Sequence, residues 1–212
     1  MTDYLLTLGE ITKIYGRRLI FNNINYSFQS SSVYGIAGAN GSGKSTLAKI
    51  ICGIISPTSG KVTHKSKGKE LAGDKLFNHI GFVSPYLILY DEFTALENLK
   101  IISQIRGIEF DSKRADYLLS EFNIYDRRND YLKAYSSGMK QRMKFVFALL
   151  HKPQLILLDE PTSNLDDDGK KIVYGTIEKE SKENLIIIAS NESGDLALCK
   201  DKIQIEEFKN KE

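Results

Sequence analysis

The stretch Gly38-Ala39-Asn40-Gly41-Ser42-Gly43-Lys44-Ser45 matches the pattern G-x-x-x-x-G-K-[ST]. Glycines at those places let a backbone wrap a polyphosphate with its N–H groups turned inward, and a helix starting behind them adds positive potential. Lys44 supplies a point charge for the outer phosphates, the Ser45 hydroxyl suits Mg²⁺, and Thr46 adds a further hydroxyl at the helix start. A second chemical feature is Leu155-Ile156-Leu157-Leu158-Asp159-Glu160, an apolar run ending in two acids. Carboxylates at the end of a buried strand need a task. Asp159 suits Mg²⁺, directly or through its water, and Glu160 suits polarising an attacking water.

These residues need elements to position them. Val33–Ala37 reads as a buried strand running into the glycine-rich turn, and Leu47, Ile50, Ile51 and Ile54 repeat with the spacing of one helix face. Ile80–Val83 is another short strand. From about Leu96 to Tyr131 the pattern is helical and more polar, with Ile101, Ile102, Ile105 and then Tyr117, Leu118, Phe122. Met143, Val146, Phe147 and Leu150 make a further helical face. Leu155–Leu158 and Leu185–Ala189 are continuous apolar runs, the kind covered on both sides in a parallel sheet. Strands separated by helices predict an α/β core, with the helix-rich middle as an insertion. Lys61–Lys69 carries four lysines without interleaved aromatics, so it reads as a solvated turn rather than a nucleic-acid patch.

Composition narrows the classes. The 212 residues hold 29 Lys+Arg against 27 Asp+Glu, a net charge of +2 that exerts no global pull toward nucleic acid. With 42% hydrophobic and 26% charged residues, the chain is ordinary globular material rather than extended disorder. Cys52 and Cys199 have no metal-ligand spacing and form no disulfide framework, which favours a reducing compartment. No apolar run approaches the ~20 residues of a spanning helix. Met1–Leu8, with Asp3, lacks the basic start and apolar centre of a secretion signal, so a cytoplasmic protein is expected.

Further motifs stand in order around these two. Tyr135-Ser136-Ser137-Gly138-Met139-Lys140-Gln141-Arg142 precedes the Met143 helix, and Asp159-Glu160-Pro161-Thr162-Ser163-Asn164-Leu165-Asp166 extends the acidic strand end. Ile80-Gly81-Phe82-Val83, Leu89-Tyr90 and Thr94-Ala95-Leu96-Glu97-Asn98-Leu99 lie between them, and Tyr15 precedes the phosphate loop. Over almost its whole length the chain resembles the ATP-binding-cassette (ABC) ATPase family. The resemblance implies an α/β P-loop NTPase fold of ABC ATPase type. Its core sheet would be mainly parallel, with N-terminal antiparallel strands and a helical subdomain insertion. A single domain would span 1–212, with the core at about 1–84 and 136–212 and the helical subdomain at 85–135.

The resemblance also implies roles. Tyr15 would stack on adenine, and Gly38, Ala39, Asn40, Gly41, Ser42, Gly43, Lys44, Ser45 and Thr46 would hold the phosphates. Mg²⁺ would sit at Ser45 and Asp159, with Glu160, Lys44 and Asn191 serving catalysis. Ser136, Ser137, Gly138 and Met139 form the signature, which would meet the γ-phosphate bound on a second, head-to-tail protomer, while Asp166 lies in the D-loop. The implied partners are ATP, a second ABC ATPase subunit as a homodimer, and an integral-membrane permease on a separate chain. No nucleic acid is implied. The permease would dock near Ser84–Tyr90, with Tyr86 and Tyr90 as anchors, and would hold the subunit at the inner face of the cell membrane.

Two positions depart from the family pattern. Pro85 stands where a Gln that contacts Mg²⁺ is usual, and no Gln occurs from Gly81 to Ser103. Ser84 is the nearest side chain able to supply an oxygen. Asn191 stands where a switch histidine is usual. An amide can donate to a γ-phosphate but carries no charge, which costs about 1–2 kcal/mol, or roughly five- to thirtyfold in rate. A slow ATPase that powers a transporter is therefore expected. The alternatives are a nucleotide-gated dimerising switch with little hydrolysis, or a soluble non-transport ABC protein.

Overall fold

The computed structural model describes residues 3–209, so Met1, Thr2 and positions 210–212 of the expected domain lie outside the described residues. Two sheets organise the chain. The first is antiparallel, in the order β2-β1-β4-β5, and combines β1 (Tyr4–Tyr15), β2 (Arg18–Gln29), β4 (Ser59–Ser66) and β5 (Lys69–Glu70). The second is parallel, in the order β6-β7-β8-β3-β9, and combines β3 (Ser32–Ala37), β6 (Ile80–Val83), β7 (Leu155–Asp159), β8 (Leu185–Ser190) and β9 (Asp201–Gln204).

The expected apolar runs are the central strands of this second sheet. Every residue of β7 and β8 is buried. Because successive side chains point to opposite faces, each strand serves two cores. Leu155, Leu157, Leu185, Ile187 and Ile36 face the antiparallel sheet and α1 (Lys44–Ile51). Ile156, Leu158, Ile186, Ile188 and Val33 face the other side, toward α4 (Ser137–Leu149) and α5 (Asp167–Glu180). Register is in step across the sheet, with Leu155 beside both Ile80 and Leu185.

Between β6 and α4 lie α2 (Ala95–Ile105) and α3 (Ser112–Glu121), the helical insertion expected from the middle of the chain. A reciprocal capping box starts α2. Glu97 N–H donates to the Thr94 hydroxyl at 3.2 Å, and Thr94 N–H donates to the Glu97 carboxylate at 2.8 Å. Asp111 caps α3 through the Arg114 N–H at 2.9 Å. Leu118 and Phe122 are buried as expected, whereas Ile105 and Tyr117 face outward.

Two expectations need correction. Ile54 does not belong to the α1 face, because the helix ends at Ile51 and Gly53, at φ 71°, turns the chain away, leaving Ile54 56% exposed. Lys61–Lys69 is not a solvated turn. Lys61 through Ser66 belong to β4, paired antiparallel with β1, and only Lys67 and Gly68 turn, both at positive φ. The lysines lie on the outer face, while His64 is buried and bonded to the Tyr4 hydroxyl at 2.8 Å and the Ile51 carbonyl at 3.0 Å.

Candidate site at the carboxyl ends of the parallel strands

The parallel topology brings the carboxyl ends of β3, β6, β7 and β8 to one edge, where open α/β sheets bind their ligands. From β3 the chain enters the loop Gly38–Gly43 and turns directly into α1. Gly43, at φ 119°, admits no side chain, since a Cβ there would lie 2.6 Å from Ile20 Cγ2. Lys44 is 4% exposed, and its ammonium donates to the loop's own carbonyls at Gly38 (2.8 Å) and Ala39 (3.1 Å). It therefore lies along the loop rim, where an incoming phosphate oxygen competes for the same donors.

A cavity of about 510 Å³ opens over this loop, lined by Asn40, Gly41, Gly43, Lys44, Ser45 and Thr46 together with Arg18, Ile20, Tyr86 and Glu160. Tyr15 is not among its lining residues. It is 48% exposed at the end of β1, with the Lys13 ammonium 4.7 Å from its ring centre. Arg18, Ile20 and Tyr86 come to the cavity without any motif to announce them.

Asp159 closes β7 fully buried. Its Oδ1 accepts from the Ser45 hydroxyl at 2.9 Å and its Oδ2 from the Ser84 hydroxyl at 3.4 Å. Burial pushes its carboxyl above the ordinary range; the Ser45 bond opposes this and the Glu160 charge adds to it. Oxygens from three side chains thus converge, the Ser45 and Ser84 hydroxyls and the Asp159 carboxylate. They suit a hard divalent cation that completes its shell with phosphate oxygens and water, which is how Mg²⁺ is normally held.

Glu160 follows in a left-handed backbone conformation, φ 49°, with its N–H donated to the Ala189 carbonyl at 2.8 Å. A non-glycine residue held there costs conformational energy, and such positions gather at working sites. Glu160 borders both the first cavity and a neighbouring one of about 350 Å³. Asn191, exposed just beyond β8, lines that second space with Asn40, Thr162, Asn164 and Lys170. Beneath it, buried Asp195 accepts hydrogen bonds from Ser190 (2.7 Å), Thr162 (3.0 Å) and Tyr174 (3.1 Å), fixing the segment that carries Asn191. Nothing in the local sequence marked Asp195 for this part.

The signature segment lies at the start of α4. Ser136 caps the helix through the Met139 N–H at 3.2 Å, and Ser136 and Ser137 are exposed. Gly138 abuts the Asp166 loop, because a Cβ there would lie 3.3 Å from the Asn164 carbonyl. Gln141 donates to the Pro161 carbonyl at 3.0 Å, tying the helix to the same loop. Asp166 caps α5 through the Gly169 N–H at 2.8 Å. Glu206, after β9, was also unannounced: its carboxylate accepts the Ala39 N–H at 2.8 Å, a bond that holds it below the usual carboxylate range. Both cysteines are free. None of the described helices is long and apolar enough to cross a membrane.

Known proteins resemble this chain in sequence and in fold. The family model described as "ABC transporter" matches residues 21–163. The ABC transporter ATP-binding protein YybJ of Bacillus subtilis is 34% identical over 92% of this chain and 89% of its own length. The lantibiotic transport ATP-binding protein SrtF of Streptococcus pyogenes is 33% identical over 88% of this chain and 80% of its own. In fold, an ABC transporter ATP-binding protein from Pyrococcus furiosus superposes with a TM-score of 0.82 at 22% identity, covering 97% of this chain and all of the other. With a phosphate loop, a buried strand-end acid and relatives matched over nearly their whole length, the chain belongs to the ABC transporter family as an ATP-binding domain.

Proposed function

We propose that this chain binds Mg²⁺-ATP and hydrolyses it to ADP and phosphate, and that dimer closure and release drive a separate membrane permease. The observation that carries the reading is the convergence of Lys44, Ser45 and Glu160 around one cavity at the carboxyl edge of the sheet, with buried Asp159 bonded to Ser45 behind it. In this reading the amides from Gly38 through Thr46 hold the phosphates and Lys44 moves from the loop carbonyls onto them. Ser45 and Asp159 hold the metal, which when bound draws charge from the phosphate oxygens. Glu160 orients the water, and Asn191 donates a neutral hydrogen bond to the γ-phosphate. Tyr15, at the end of β1 and outside the cavity lining, would have to reach adenine from beside the cavity. Ser136, Ser137, Gly138 and Met139 complete the site of a facing copy, with Asp166 holding the intervening loop.

The working unit is a single domain with its core at 1–84 and 136–212 and its helical part at 85–135. Exposed Tyr86, Ile88 and Tyr90 border the face proposed to meet the permease, and the subunit is proposed to sit with it on the cytoplasmic side of the membrane. Steady-state ATP hydrolysis tests the reading. Glu160→Gln is expected to lower kcat at least about a hundredfold while nucleotide still binds. Wild-type protein that binds nucleotide with no turnover above Glu160→Gln would instead identify a switch.

A further inference from the structure

Lys144 belongs to none of the motifs, yet it occupies the junction between α4 and the end of β6. Its side chain is half-buried, and its ammonium donates to the carbonyls of Ser84 (3.0 Å) and Pro85 (2.9 Å). Among the described residues no carboxylate forms an ion pair with it. Burial holds its pKa below the usual lysine value, as expected of an ammonium satisfied by dipoles alone. The segment it grips is the one in which proline replaces the usual glutamine. Pro85 has no N–H, so the segment's carbonyls are its available backbone handles. Ser84 in turn sends its hydroxyl back to Asp159 at 3.4 Å and accepts the Tyr86 N–H at 3.3 Å, while its carbonyl also takes the Leu87 N–H at 3.1 Å.

We propose that Lys144 is a positioning residue for hydrolysis: its ammonium clamps the Ser84-Pro85 turn, keeps the Ser84 hydroxyl on Asp159, and so ties the signature helix to the metal-holding carboxylate. This rests on the Mg²⁺-ATP reading above. A compact ammonium with three donors spans two adjacent carbonyls and leaves one donor for water. The link runs from α4 through residues 84 and 85 to Asp159 and Ser45, so motion of the signature helix is transmitted to the metal site along direct hydrogen bonds.

The test uses the full chain, a fluorescent ATP analogue and a Mg²⁺ titration, alongside steady-state hydrolysis. Lys144→Met keeps the apolar stem and removes the donors. It is expected to raise the Mg²⁺ concentration at half-effect about fivefold and to lower kcat about tenfold, with metal-free analogue binding changed less than about twofold. Ser84→Ala is expected to produce a similar rise, and the double variant no more than the larger single effect, because both act on one linkage. Lys144→Arg, which still donates to both carbonyls, should recover most of the loss. If Lys144→Met does not fold, Lys144→Gln, with its shorter reach, replaces it under the same expectation. An unchanged Mg²⁺ half-point, or additive effects in the double variant, would overturn the clamp while leaving the nucleotide reading intact. Absence of analogue binding to wild-type protein would overturn both.

Discussion

Asn191 sits where the chemistry is most exposed to a single side chain. It shares a cavity with Glu160, and its segment is fixed by the three hydroxyl bonds to Asp195. In the proposed hydrolysis an amide can donate there but would add no charge as the γ-phosphate leaves. Asn191→His is therefore expected to raise kcat about tenfold, measured by phosphate release under saturating ATP. A tenfold drop would show that Asn191 contributes through its own geometry instead. Lys44 and Asp159 illustrate the opposite case, in which the working groups are already bonded within the protein. Their internal bonds hold them in position, and each keeps capacity to spare, a third donor on Lys44 and further lone pairs on Asp159, for the proposed ligand.

At the scale of elements, one buried and one half-buried histidine link strands to their neighbours. His64 of β4 bonds Tyr4 of β1 and the last residue of α1, while His151 bonds the Ile80 carbonyl of β6. Burial pushes both down to about 4, with the Arg106 charge adding to the effect at His151. From their ordinary 6.5 down to about 4 the unfolded chain holds more protons than the folded one, so acid favours unfolding. The stability they confer is complete above pH 6.5 and falls by about 1.4 kcal/mol per pH unit for each histidine through that window. Urea midpoints should be level between pH 7 and 8 and fall steadily from pH 6.5 to 5. A midpoint unchanged between pH 7 and 5 would contradict this.

The same elements explain what the sequence could disclose. β3, β7 and β8 were legible because both faces are buried, which leaves an unbroken apolar run. The phosphate loop was legible because its chemistry is contiguous. β4 was hidden, since one face meets solvent and carries lysines while the other buries a histidine. Lys144, Ser84 and Asp159 meet across 60 and 75 positions of chain, and no local pattern encodes such a contact. Ile54 kept the helical spacing, but Gly53 ended the helix before it.

For the whole molecule the central expectation is closure of two copies around nucleotide. Ser136 and Ser137 lie exposed at a helix N-terminus, and the Asn164 loop lies against Gly138 on the same chain. In the proposed dimer the exposed Ser136 and Ser137 of one protomer would meet the phosphate held by its partner. Glu160→Gln, which is expected to retain ATP, should shift to a dimer in light scattering when Mg²⁺-ATP is present and return to monomer when it is removed. Persistent monomer would rule out the nucleotide-bridged dimer. Beneath this lies the claim that the loop at 38–46 holds the triphosphate. Calorimetric titration with Mg²⁺-ATP tests it most directly. The account predicts saturable binding at one site per chain, weakened at least about a hundredfold by Lys44→Met. Absence of binding, or binding untouched by that substitution, would contradict it.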